Sequence, residues 1–440
     1  MSLPSMSRDV AEKLVSKYPD MAEITYFEGT VGEFYGRYSQ FLHAPSARRR
    51  QQLLTAVEIV ARRVFSDTEV KSIIESLEKN FIVSTAEHHA SITHPETLNI
   101  VLNQFLIQEK ANLPVISFSC ATTTLDNHLF PRGVFIGDEK IPFLPKSQKS
   151  YFVSNAPGIN IESFTRRLRE LQRISRISKT DAEFLEDWFD AEYGILKKYP
   201  LLSMQISRLN QDLWKSIIHK NLQYDVFNYF MIPAEDIVEN LLLLDMESER
   251  PSWIFESLFK RDSRARIFKL FDGTRLFWNS TNRKGTFFFW GYNARNRPVQ
   301  LFLTKDHLVS DDSELQVELT PESIKSALAE KRIVPASNLC SLYLSFYSGL
   351  SLIGGILQVN YLGEMKRKIL SGNPLHLRGE DLSIIDGLLT NIYANFQRSR
   401  WTEGGMSRIV RPLSDKDLED YQTQDHFSQI QECLQFLYSL

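Results

Sequence analysis

The chain has 440 residues, 43% of them apolar and 24% charged, with a formal net charge of −3. Such a composition excludes a disordered chain, and the length suits one large domain or two to three ordinary ones. The balance of 51 basic against 54 acidic side chains disfavours a dedicated nucleic-acid binder, whose affinity rests on phosphate neutralisation.

Three cysteines, Cys120, Cys340 and Cys433, stand far apart and form no CxxC pair. They read as free thiols of a reducing compartment rather than as a disulfide framework or a zinc ribbon. The N-terminus lacks the basic-then-apolar order of a secretory signal. The apolar stretch 342–359 is broken by Ser345, Ser348, Gly349, Gly354 and Gly355 and does not read as a membrane span. The expectation is a cytoplasmic protein with no membrane and no nucleic-acid partner.

In chain order, the first clear elements are helices at 46–64 and 66–79. Leu53, Leu54, Val57, Val60 and Val64 recur at helical spacing, and Ser66 with Glu69 has the form of a capping box. A third helix is predicted over 94–109, with Thr93 as N-cap, Glu96 three residues on and Pro95 in the first turn. Residues 113–119 (LPVISFS) read as a buried strand, and 134–136 with 141–144 as a hairpin whose Pro142 confines its arm to an edge. From 161 to about 268 the pattern is mainly helical. Thr180 and Glu183 form a further capping box there.

A β-meander is predicted over 269–304, with turns at Asp272-Gly273 and 282–285. Its aromatic run, Phe287 to Trp290, calls for cover on both faces or for one face open to a ligand or partner. After Thr320 the pattern is helical to the end, with Leu382, Ile385, Leu389, Ile392 and Phe396 on one stripe. The fold class is α+β, helix-rich, with one mainly antiparallel sheet built from two separated strand segments. Residues 1–440 are read as one compact unit. The alternative division is 1–155, helices and strands around a histidine cluster, and 156–440, a helical region carrying the meander.

Four of the nine histidines, His88, His89, His94 and His128, fall within one short stretch, with Glu87, Glu96 and Asp126 among them. One half of this cluster enters a helix and the other follows a strand, where a rigid scaffold presents functional groups. His88 is expected as base or ligand, Glu87 as its orienting partner and His128 as a further acid–base group. His88, His94, Asp126 and His128 form the candidate set for a divalent metal, zinc or iron, although the spacing matches no established metal motif. Arg132, Thr123 and Asn127 are placed as substrate-binding residues, with Arg132 holding an anionic group. A nucleophilic Cys120 is disfavoured because it ends an apolar strand.

These residues suit an enzyme acting on a small molecule, in the manner of a hydrolase or lyase. The alternative is a non-catalytic binding protein that uses the aromatic surface around 286–292. Arg166, Arg167, Arg169, Arg173 and Arg176 read as a solvated helix face, and Arg48 to Arg50 as surface.

Overall fold

The computed structural model describes residues 8–38, 46–109, 111–219, 228–394, 403–426, 428–430 and 434. Cys433 and Phe396 lie outside them. Among the described residues the strands run in chain order as β1 (Ile82–Ser84), β2 (Val115–Ser119), β3 (Gly133–Ile136), β4 (Glu139–Pro142), β5 (Tyr229–Pro233), β6 (Phe289–Tyr292), β7 (Pro298–Thr304), β8 (His307–Ser310), β9 (Gln316–Glu318), β10 (Ile333–Pro335) and β11 (Ser351–Ile353). The fold is α+β, as the sequence implies. The single antiparallel sheet is corrected: β11-β1-β2-β5 form a parallel sheet, β10-β6-β7-β8-β9 a separate antiparallel one, and β3-β4 a hairpin.

The parallel sheet divides two apolar cores. Ile82, Val115, Tyr229, Met231 and Ile353 point into one, while Val83, Ile116, Phe118, Phe230, Ile232 and Leu352 point into the other. That alternation is the pleat of a strand with both faces covered. On the first side the helices Pro95–Glu109 and Leu202–Trp214 supply Leu98, Phe105, Ile206 and Leu209. On the second, Ala47–Ala61 and Ala234–Met246 supply Leu53, Val57, Ile237 and Leu241. A strand covered on both faces needs no polar alternation, so β5 (YFMIP) carries no strand signature within a stretch whose pattern is mainly helical. The three-residue strands β10 and β11 are too short to carry a period at all.

The helices expected near 46–64, 66–79 and 94–109 form as Ala47–Ala61, Asp67–Lys79 and Pro95–Glu109. Ser66 and Glu69 make the capping box. Thr93 is not the cap of the third helix. Its hydroxyl instead accepts the Phe135 N–H at 3.0 Å, and His94 Nδ1 accepts the Glu96 N–H at 3.2 Å. Thr93 thus ties the helix entrance to β3. Thr180 is likewise displaced by Ser178, whose hydroxyl accepts the Asp181 N–H at 3.0 Å.

The meander begins later than expected. Lys269 to Phe271 close the helix Arg261–Phe271, an isolated antiparallel bridge joins Asn279 to Lys284, and strand pairing starts at Phe289. Phe287, Phe288 and Phe289 are buried core residues, while Trp290 is half-buried against Phe152. Arg49 is also buried rather than on the surface: it pairs with Asp381 at 2.7 Å and lies over the Tyr347 ring. Among the described residues, no helix is long and apolar enough to cross a membrane.

Two alanine substitutions separate a real cap from an apparent one. Ser66→Ala should cost about 1 kcal/mol in chemical denaturation. Thr180→Ala, on an exposed position without a capping bond, should stay within about 0.5 kcal/mol of the parent. Equal costs would contradict the assignment.

Candidate active site

Parallel strands end on one edge, so the loops that follow them gather there. Thr85, Ala86 and His88 follow β1, Cys120 follows β2, Ala234 and Glu235 follow β5, and Gly355 and Ile356 follow β11. All of them line one cavity of about 1010 Å³. Glu96 and His128 also line it, as do Ser337, Cys340, Gln358 and Tyr361. Pairing continues past the strands: Cys120 N–H donates to Glu87 O at 3.0 Å and His89 N–H to Cys120 O at 2.8 Å. This register sets His88 beside Cys120.

The histidine cluster separates by alternation along this extended segment. Glu87 and His89 turn into the protein. Glu87 is 0% exposed, accepts the Ser84 hydroxyl and lies beside Tyr229, and burial holds its carboxyl above the usual range. His89 lies between Ser119 Oγ and the Ser203 carbonyl, each at 2.7 Å. A carbonyl only accepts, so Nε2 carries the proton and Nδ1 receives the serine hydroxyl. Both are structural groups, and neither is on the cavity wall. Glu87 therefore does not orient His88.

Asn127 takes that role. His88 Nδ1 lies 3.1 Å from Asn127 Oδ1, and that same oxygen accepts the Leu129 N–H at 3.1 Å. A backbone N–H can only donate, so the Asn127 atom facing His88 is its oxygen, and His88 must bear its proton on Nδ1. Nε2 is left as the basic nitrogen of a neutral ring, without a hydrogen bond to any described residue. Burial lowers the His88 pKa, and His128 adds to the effect. The imidazole is therefore neutral at physiological pH.

His128 is mostly exposed at the mouth of the cavity, with Nε2 3.3 Å from Glu96 Oε2 and its ring centroid 6.2 Å from that of His88. The carboxylate–imidazole pair at this site is thus Glu96–His128. Thr123 lies within 3.4 Å of His88 Nδ1, behind the ring. Asp126 is exposed and pairs with Lys149 at 3.4 Å. Arg132 packs over the Phe130 ring, donates to the Leu144 carbonyl and does not line the cavity, so it cannot hold an anion there. Of the candidate metal ligands, the His128 ring stands 6.2 Å from those of both His88 and His94, while Asp126 turns away to Lys149. Among the described residues, no group of three or more His, Cys, Asp or Glu side chains could hold a metal ion.

Sequence reasoning missed Glu235, the most constrained acidic group on the wall. It is 1% exposed and sits in the first turn of Ala234–Met246. Its carboxyl accepts the Ala121 and Thr122 N–H groups at 2.9 Å each and the Thr122 hydroxyl at 2.7 Å. The Cys120 thiol donates to it at 3.3 Å. Desolvation raises the carboxyl pKa, and these donors pull it back. The same burial, with Glu235 alongside, pushes the Cys120 thiol up to about 12. Cys340 is raised well above its ordinary value, so both thiols stay protonated. The available signal was a five-residue apolar run followed directly by an acidic helix start, Ala234-Glu235-Asp236.

The chain matches no family model, and no curated protein is significantly similar to it. Fold and site together define an α+β protein with a ligand-sized cavity at the carboxyl edge of a parallel sheet.

The neutral, buried His89 has a measurable consequence. Its pKa is lowered from 6.5 to about 4. Above the unfolded value both states are neutral and stability is full. As the pH falls from about 6.5 to about 4, the unfolded chain takes up a proton that the folded chain refuses, removing about 3 kcal/mol. Stability against pH should therefore slope downward across that window. His89→Gln should flatten the slope, leaving the part due to His426 and His88, which are lowered in the same way. An unchanged slope in His89→Gln would contradict the assignment.

Proposed function

We propose that the protein is an enzyme acting on a small organic molecule bound in this cavity, with His88 Nε2 as general base. The observation that carries the reading is the Leu129–Asn127–His88 chain of hydrogen bonds, which fixes the tautomer whose lone pair remains available on a cavity residue. A base of this kind works best when it is neutral at the operating pH and held in one orientation. Removal of a proton from water or from carbon at this point is the chemistry of a hydrolase or a lyase. The Glu96–His128 pair at the mouth is placed to return a proton. Ser337, Gln358 and Tyr361 provide hydrogen bonds to the substrate.

Neither an anion grip by Arg132 nor a role for Glu87 in the reaction belongs to this reading. The buried state of Phe287 to Phe289 counts against the binding-protein alternative, which needs an open aromatic surface. Unpaired thiols at Cys120 and Cys340 suit a reducing, cytoplasmic setting.

The test is a comparison of the protein and its His88→Gln variant in a mixture of small cellular metabolites, followed by mass spectrometry. At least one compound should be consumed by the parent and spared by the variant, while the two share the same thermal midpoint. No consumption by the parent, or equal consumption by both, would overturn the proposal.

A further inference from the structure

The cavity walls carry a one-sided charge pattern. Glu96 and Glu235 line it, and no lysine or arginine does. Glu96 already faces His128. Glu235 makes no salt bridge with any described residue, although its neighbours along the same helix do: Asp236 faces Arg63 and Glu239 faces Lys331. A carboxylate taken out of water without a cation is costly, and its partners here are all hydrogen-bond donors of the protein itself. The remaining walls are largely apolar, with Leu276, Leu344, Leu352 and Leu357 among them.

We propose that the ligand of this cavity is an amphiphilic amine: an apolar body against the leucines and a protonated amino group turned to Glu235. This rests on the reading of the cavity as the substrate site and names the class of substrate it takes. An ammonium supplies the missing countercharge, and its remaining N–H groups meet the Ser337 hydroxyl, 3.6 Å from Cys120 Sγ, and the Tyr361 phenol. A carboxylate or phosphate in the same place would stand beside a buried carboxylate with no cation on the wall to offset it. Desolvation raises the pKa of this carboxyl, the two backbone N–H donors oppose that rise, and an ammonium alongside favours the ionised form that attracts it.

The test uses three probes of one shape, 4-phenylbutylamine, 4-phenylbutanol and 4-phenylbutyrate, with affinities measured by titration calorimetry on the full chain. The amine should bind at least about tenfold more tightly than the alcohol, and the butyrate most weakly. E235Q should bring the amine to within about threefold of the alcohol, without weakening the alcohol. Because E235Q also removes acceptors from Ala121 and Thr122, a second variant is needed. S337K places a cation in the position of the amine and should make the butyrate the preferred of the three. L357W, which fills the cavity from a half-buried position, should weaken all three. Equal binding of the three probes by the parent, or an unchanged ranking in S337K, overturns the amine proposal and leaves the cavity as a ligand site. No binding of any probe, or binding that L357W does not affect, overturns both.

Discussion

Parallel pairing of β1 with β2, carried on by the hydrogen bonds between Glu87, Cys120 and His89, is the constraint on which the rest of the structure depends. It brings two strand ends to one edge. It also sets the alternation that sends Glu87 and His89 inward and His88 to the cavity. A slip of one residue would exchange these faces, putting a neutral base into the core and a buried acid onto the wall. The two apolar cores on either side of the sheet specify that register, because every residue of β1, β2, β5 and β11 is buried.

The polar groups near that edge are held by groups that cannot change role. A backbone N–H fixes Asn127, Asn127 fixes His88, and a carbonyl fixes His89. Two further N–H groups and a hydroxyl hold Glu235. Proton positions are thus set by the main chain, the least mobile part of the structure. This is what a preorganised acid–base site requires. It also separates His88 from the buried groups around it. Burial raises the pKa values of Glu87, Cys120 and Cys340 and so favours their protonated forms, whereas the same burial favours the neutral His88 ring, with its lone pair at the cavity.

Much of this was legible in the sequence where local rules apply. The Ser66–Glu69 box, the Pro95 helix, the 115–119 strand and the β3–β4 hairpin all follow from spacing and from residue type. Clustering of His88 with His128 is also visible in the sequence, but their nearness comes from β1, a three-residue strand with no periodic signature. Long-range features were out of reach. Glu235 meets Ala121 and Thr122 across more than a hundred residues, and nothing local marks it as their partner. Thr93 and Thr180 had capping spacing but lost to His94 and Ser178, because a neighbouring strand claimed one hydroxyl and an earlier serine the other helix start. The Phe287 to Phe289 run signals a sheet, but only tertiary packing, with Phe268 of the helix Arg261–Phe271 5.9 Å from the Phe287 ring, shows that these three rings are buried.

The central claim is that the sheet edge holds His88 as a neutral ring with its lone pair on Nε2. Long-range proton–nitrogen correlation spectra of the histidine side chains, recorded on the folded protein at neutral pH and assigned with His88→Gln, read this directly. The account predicts a protonated Nδ1 and an unprotonated Nε2 for His88, with the ring taking up its second proton only at lower pH than an ordinary histidine. A protonated Nε2, or an imidazolium at neutral pH, would contradict it.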